Sequence, residues 1–194
     1  CVRPDTTIES LESLKPSFKE LGDSGVDKIQ LKYFPELAKI DHIHTAGNSP
    51  AMSDAASITL LSSSKNSASF KYKARGKIKA VAVVNDNPLF VLSGCIEATK
   101  QLMKNENLSV KDVDIFEIHE AFASTIIYAQ RELEIPDDKL NVNGGCIALG
   151  HPMGATGSIM LSSLLDEMER RDLTLGVVST SGAAGAGTAV LIER

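Results

Sequence analysis

Two histidines stand where a chain passes from a strand-like stretch into a helix-like one. His119 opens HEAFA and is followed at once by Glu120, while His151 lies inside GGCIALGHPMG, five residues after Cys146. An imidazole titrates near neutral pH, so a His at such an edge suits proton transfer. The sequence around His119 also admits a plain reading, with His119 near a helix N-cap and Glu120 favoured by the helix dipole. Glycines flank His151, Gly150 directly before it, and permit left-handed turns and close backbone approach. Cys146 and His151 fit a thiolate pair, although for a cysteine among apolar residues at a strand end a buried, inert thiol is the commoner case. A third stretch, STSGAAGAG over residues 179–187, is a small-residue turn whose backbone N–H groups, at Ala183 for instance, suit an oxyanion nest. It lacks GK[ST] and is followed by a strand, so it is no phosphate loop. Ser181 with either histidine also permits a nucleophile–base reading, without a GxSxG elbow to support it.

The elements that must carry these residues are read from periodicity. Regular alternation begins near Gly76. Residues 78–84 (IKAVAVV) read as a buried strand, 88–103 as a helix, 113–118 (VDIFEI) as a strand and 120–133 as a helix. A short strand over residues 140–142 leads into the His151 motif. Residues 154–170 read as a long helix with Ile159, Leu164 and Met168 on one face, and 175–179 and 188–192 as a closing hairpin. The order βαβαβαββ makes the fold class α/β, a mixed sheet covered by helices. Strand-to-helix edges of such a sheet lie on one rim, so His119 and His151 are expected to meet there.

Upstream, Thr7 and its neighbours cap a short helix carrying Ile8, Leu11 and Leu14, Pro16 interrupts, and residues 26–34 read as a second helix. The apolar run 55–61 reads as a buried strand, and its small-residue turn followed by a strand resembles the chain's own end, a faint sign of duplication. The serine-rich residues 62–69 then mark a boundary, giving units 1–66 and 67–194.

With 194 residues, 43% hydrophobic, 23% charged and a net charge of -5, the chain is an ordinary soluble composition with no basic stripe for nucleic acid and no apolar run of membrane-span length. Cys1, Cys95 and Cys146 are widely spaced. Their odd number, without CxxC spacing, argues against a disulfide framework and against a zinc site and for a reducing, cytoplasmic setting; Cys95 reads as core. An opening Cys1 in place of methionine fits a processed chain or a piece of a longer one.

Taken together, HEAFA, NVNGGCIALGHPMGATG and SGAAGAGTAVLIER, preceded by PDTTIESLESLKPSF and TAGNSPAMSDAAS, resemble the thiolases, of acetyl-CoA acetyltransferase or 3-ketoacyl-CoA thiolase type, over nearly the whole chain. The resemblance implies a thiolase-like half with a five-stranded mixed sheet between helices over residues 67–194. Residues 1–66 would be the end of a loop region and the last part of the preceding half. It implies carbon–carbon bond formation or cleavage between acyl-CoA units, with CoA and acyl-CoA as substrates and no further cofactor or metal. His151 would activate a cysteine from the other half and help hold the thioester oxygen, and His119, with Glu120 as its partner, would position a water or the enolate oxygen. A homo-oligomer, or pairing with an N-terminal half, is the implied assembly. Ser181 stands where the family carries a second cysteine, Ala183 and Ala184 replace glycines of that turn, and Pro50 replaces a serine. A hydroxyl is a far weaker acid than a thiol near neutral pH, so the chain alone is expected to be inactive. The alternative is a non-catalytic thiolase-like binding or partner subunit.

Overall fold

The computed structural model describes residues 2–67 and 69–194. Cys1 lies outside the described residues. The first region is built of short helices. Thr7 caps α1 (Ile8–Glu12) in a reciprocal pair with Ser10, and Leu11 and Leu14 close over Gly47. Helix α2 (Lys19–Leu21) runs through a wide turn at Gly22–Val26 into α3 (Asp27–Tyr33), and α4 (Ser64–Ser67) follows much later. The run 55–61, expected to be a buried strand, is exposed coil, with Ile58 95% exposed. A strand needs a ladder partner, and none of the described strands pairs with it.

The second region is layered. Strands β1 (Lys77–Asn85), β2 (Ile115–Ile118), β3 (Leu175–Ser181) and β4 (Ala186–Glu193) form one mixed sheet in the order β1-β4-β3-β2. β2 runs parallel to β3, and β3 and β4 form the expected antiparallel hairpin. The expected fifth strand over 140–142 shrinks to a single bridge between Leu140 and Phe116, because Asn141 takes a left-handed φ of 44° and turns the chain away. β1 is an edge strand and not a buried one: Val81 and Val83 face outward, exposed.

Alternation sorts the strand residues between two apolar layers. Phe116, Ile118, Val177 and Leu191 pack with Ile96, Leu102, Ala129 and Leu133, from α5 (Gly94–Asn105) and α6 (Ala123–Leu133). On the other face Ile115, Val178 and Ile192 meet Met160, Leu164 and Met168. These three come from α8 (Thr156–Arg171), which follows the four-residue α7 (Cys146–Leu149). Leu164 and Met168 lie on the α8 core face as expected, whereas Ile159 is only half-buried. Helix α5 starts later than expected. Pro88–Phe90 forms a separate 3-10 turn, and Val91 at φ 58° breaks the chain before the helix begins. Among the described residues, no helix is long and apolar enough to cross a membrane.

Candidate active site at the rim of the sheet

β2 delivers His119 to the rim. The His119 N–H donates to Ser179 O at 2.9 Å, extending the parallel ladder one residue past the strand. On the free side of β2, the Asn141 side chain replaces a strand partner. Its Oδ1 accepts from Ile118 N–H at 2.7 Å, and its Nδ2 donates to Ile118 O at 2.8 Å. The backbone on either side of His119 is therefore fixed before the imidazole makes any contact.

Glu120 does not begin a helix, since α6 starts at Ala123 with Phe122 at its N-cap. Neither His119 nor Glu120 caps α6. The Glu120 carboxylate instead reaches the second motif. Oε2 accepts from Ile147 N–H at 2.9 Å, near the start of α7, and Oε1 accepts from Asn141 Nδ2 at 3.3 Å. The contact with Gly145 is flush, because a Cβ there would lie 2.6 Å from the carboxyl carbon. Asn143 Nδ2 donates to Glu167 Oε2 at 2.9 Å and ties the same loop to α8. Arg170 and Asn143 hold the Glu167 carboxyl down at about 2.

His151 is held from the first region. Its N–H donates to Ala51 O at 2.8 Å, and Met52 bridges to it in parallel. Gly150 has φ 97°, and Ser53 fills the space a Cβ would need, with Oγ 2.6 Å from that point. Both facts require glycine. The His151 Nδ1 lies 2.7 Å from Thr156 Oγ1.

The two imidazoles meet as the rim argument expects: the ring centroids of His119 and His151 are 4.5 Å apart, tilted by 43°. His119 is 6% exposed and neither ring nitrogen has a hydrogen-bond partner. Burial first, and then the neighbouring His151, push its pKa down to about 4. Burial lowers that of His151 as well. Neutral imidazoles keep a lone pair free to accept a proton. Cys146 opens α7, buried, with Sγ and one ring nitrogen of each histidine all within 4.8 Å of one another. Burial, then the charge of Glu120, raise its thiol pKa, which makes it a thiol rather than a thiolate near neutrality.

The third stretch is engaged elsewhere. Ser181 Oγ donates to Leu92 O at 2.6 Å and accepts from Cys95 N–H at 3.0 Å, so its hydroxyl serves the start of α5. The Ser–His pair of a hydrolase is not formed. Around it, the N–H groups of Gly182, Gly185 and Ala186 are taken by the carbonyls of Ala186, Val91 and Ala183, which leaves them unavailable to an oxyanion. Ala183 itself is exposed. Cys95 is fully buried in α5, as read from the sequence.

Glu117 escaped the sequence reading. It is 2% exposed in the middle of β2, its Oε1 has no partner, and burial, then Glu120 and Glu167, push its pKa up to about 8. The only signal was a carboxylate breaking the apolar run VDIFEI. Asn141 and Thr156 were passed over too, since neither residue type stands out before the loop is folded.

A mixed sheet with helices on both faces carries the two histidine loops and the small-residue turn on one rim, which defines an α/β protein with a candidate site at its strand ends. The family model for the thiolase C-terminal domain matches residues 72–194, and the chain belongs to the thiolase family. It is similar to the 3-ketoacyl-CoA thiolase of Serratia proteamaculans, 38% identical over the whole chain and 46% of that protein, and to that of Klebsiella pneumoniae, 36% identical over the same shares. The crystal structure of the Bacillus anthracis acetyl-CoA acetyltransferase superposes with a TM-score of 0.81 at 30% identity, over 98% of this chain and 43% of that one. Human mitochondrial 3-ketoacyl-CoA thiolase superposes with a TM-score of 0.77 at 30% identity, over 100% and 44%. The chain thus spans just under half the length of the relatives it matches.

Proposed function

We propose that this chain is the C-terminal part of a thiolase-type acyl-CoA C-acyltransferase, which forms or thiolytically cleaves the carbon–carbon bond of a 3-ketoacyl-CoA. Residues 67–194 are its C-terminal domain. Residues 1–66 are the end of the loop region and the last part of the N-terminal half. The observation that carries the reading is the His119–His151 pair, 4.5 Å between ring centroids, brought together by two family motifs. Neutral His151 takes the proton of a cysteine nucleophile supplied by an N-terminal half and helps hold the thioester oxygen, and His119 positions a water or the enolate oxygen. Glu120 and Gly150 hold the two loops in register. Ser181 takes the place of the acid/base cysteine, so the α-proton step is slowed, and the chain without the nucleophile half is inactive. CoA and acyl-CoA enter as substrates in a reducing compartment. An N-terminal half, or a second copy of this chain in a homo-oligomer, completes the assembly.

The test is thiolysis of acetoacetyl-CoA by the purified protein, with and without a co-expressed N-terminal thiolase half. Turnover is expected only with that half present. His151→Ala is then expected to lower kcat by about 10²-fold or more, and Ser181→Cys to raise it. Turnover that ignores His151→Ala sinks the assignment. No turnover in any combination, with acyl-CoA still bound, leaves the non-catalytic partner as the answer.

A further inference from the structure

We infer that the face carrying Lys71, Tyr72, Lys73 and Lys77 docks on an anionic phospholipid surface, as a reversible, peripheral contact. Charge is spread unevenly along this chain. Residues 55–85 hold Lys65, Lys71, Lys73, Arg75, Lys77 and Lys79 and no carboxylate, so a chain of net charge -5 leaves -11 to all its other residues. No basic run stands out, because each cation from Lys71 to Lys79 is separated from the next by one uncharged residue. All five are exposed. The start of β1 sets them at the end of the sheet where β4 finishes. Lys77 lies opposite Glu193, and Glu193 opposite Leu175, the first residue of β3. The histidine rim is at the other end, where His119 N–H meets Ser179 O beyond the last residue of β2.

Ion pairs sort the five cations. Arg75 is taken by Asp166 at 2.5 Å and by Glu169 at 2.8 Å, and Lys79 by Glu193 at 3.1 Å. Among the described residues, Lys71, Lys73 and Lys77 belong to none of the ion pairs. Lys73 and Lys77 line an open hollow of about 710 Å³ together with Arg75, Glu169, Glu193 and Arg194. Its two carboxylates are the ones that Arg75 and Lys79 already neutralise, and Arg194 pairs with Asp172 at 3.0 Å. The hollow therefore keeps the charges of Lys73 and Lys77 for an incoming anion.

Aromatic rings stand between and beside the lysines: Phe70 is 44% exposed and Tyr72 77%. A ring with one polar edge settles at headgroup depth. Each lysine close to an anionic bilayer adds about fivefold to binding, and the attraction fades within a Debye length. Signals of that size give reversible binding and not anchorage. The residue types also choose between partners. Nucleic acids are read and stacked upon by free guanidinium groups, and here Arg75 and Arg194 are already engaged with carboxylates. Free lysines are point charges that need only a dense field of phosphates. The acidic remainder of the chain is repelled by the same surface, so the molecule stands on the end of the sheet that carries Lys77, with the histidine rim turned toward water.

The experiment sediments the purified chain with vesicles of equimolar phosphatidylserine and phosphatidylcholine, and with vesicles of phosphatidylcholine alone. Binding is expected to the anionic vesicles only, and is expected to vanish in about 1 M NaCl, where the Debye length is about 3 Å. A triple variant, Lys71→Gln with Lys73→Gln and Lys77→Gln, should lower the partition coefficient by about 10²-fold, at about fivefold per lysine. A second triple variant, Lys28→Gln with Lys32→Gln and Lys104→Gln, changes the net charge by as much at exposed lysines elsewhere, and should stay within about twofold of wild type. The same contrast is expected with an N-terminal thiolase half co-expressed. Equal losses in the two triple variants would reduce the effect to net charge and overturn the face. So would equal binding to both kinds of vesicle, or binding that disappears once the N-terminal half is present. Single-stranded RNA that competes the protein off the vesicles would overturn it too, in favour of a nucleic acid. Nothing is turned over in these measurements, so they succeed or fail independently of the acyl-transfer reading.

Discussion

The two regions of this molecule differ in apolar content, the second being the richer, and differ far more in what they do with it. Among described residues 2–67 only Gly22 is buried, and Ile58, Leu60 and Leu61 stand in solvent. Every buried hydrophobic side chain lies at or beyond Ala82. Composition contributes, but the larger difference is in the layers. A sheet with a helix on each face gives each strand residue a layer to enter, whereas short helices joined by coil give none. The first region nevertheless has a local task. The Asn48 carbonyl accepts from Ala123 N–H at 3.0 Å, Ala51 O holds His151, and Ser57 Oγ donates to Ala155 O at 2.9 Å. Phe18 and His44 pack edge-on against Phe122, next to the first histidine motif. A region with almost no core of its own therefore frames the site that the layered region builds.

The contrast breaks most sharply at Gly187. A Cβ there would overlap the Gly94 carbonyl, because the start of α5 lies directly on the start of β4. Gly187→Ala is expected to cost about 3 kcal/mol or more, as overpacking against backbone has no side chain to yield. Ile58→Ser, in the first region, is expected to stay within about 0.5 kcal/mol. Urea denaturation of both variants measures the gap. Equal losses would mean that the first region carries a core after all.

A smaller effect, with a pH signature, is expected within the layered region. The Glu117 pKa of about 8 lies above its ordinary value of 4.5, so between these the folded protein binds more protons than the unfolded one. Its contribution is therefore fully present below about pH 4.5 and is lost as pH rises through 8. His119 works the other way. Its pKa of about 4 lies below 6.5, so stability is lost as pH falls from 6.5 toward 4. Above pH 6.5 the pH dependence from His119 is gone, and the buried thiols of Cys95 and Cys146, whose pKa values burial raises, act alike in wild type and in a Glu117 variant. Glu117→Gln should be more stable than wild type at pH 9 by roughly 1–3 kcal/mol and nearly level with it at pH 5, since each pKa unit is worth about 1.4 kcal/mol at most. Denaturation at both pH values reads this. A gap that does not widen with pH would place Glu117 in water.

How much of this was legible depended on whether a signal was local. β2, β3, β4 and α8 follow from periodicity, and the meeting of the two histidines follows from where strands end in an α/β sheet. The run 55–61 misled because a short apolar stretch carries no information about a ladder partner. Glu120 misled because helix propensity says nothing of Ile147, 27 positions on, whose N–H claims the carboxylate. Cys146 is the buried thiol with a raised pKa that its apolar sequence neighbours implied, but its neighbours in space, the two imidazoles, were not legible there. Asn141 had no strand-breaking mark, yet its left-handed turn removed the fifth strand.

The smallest effect separates two adjacent alanines in the rim turn. Both were expected to strain it if the turn needed left-handed residues. Only Ala184 is left-handed, at φ 59° and ψ 32°, and Ala183 is not. The turn has little freedom to relax, since Gly185 N–H donates to Val91 O at 2.9 Å and Asp86 N–H donates to Gly185 O at 2.8 Å. A side chain held in that conformation costs about 1–2 kcal/mol. Glycine removes the strain but widens the unfolded ensemble by about 0.4–1 kcal/mol. Ala184→Gly should then stabilise by about 0.5 kcal/mol, and Ala183→Gly, which relieves nothing, should destabilise by about as much. The sign change between neighbours is what denaturation midpoints must show. Shifts in the same direction would mean that the strain is shared along the turn, and that its alanines are no different from those of the first region, where the backbone is free to yield.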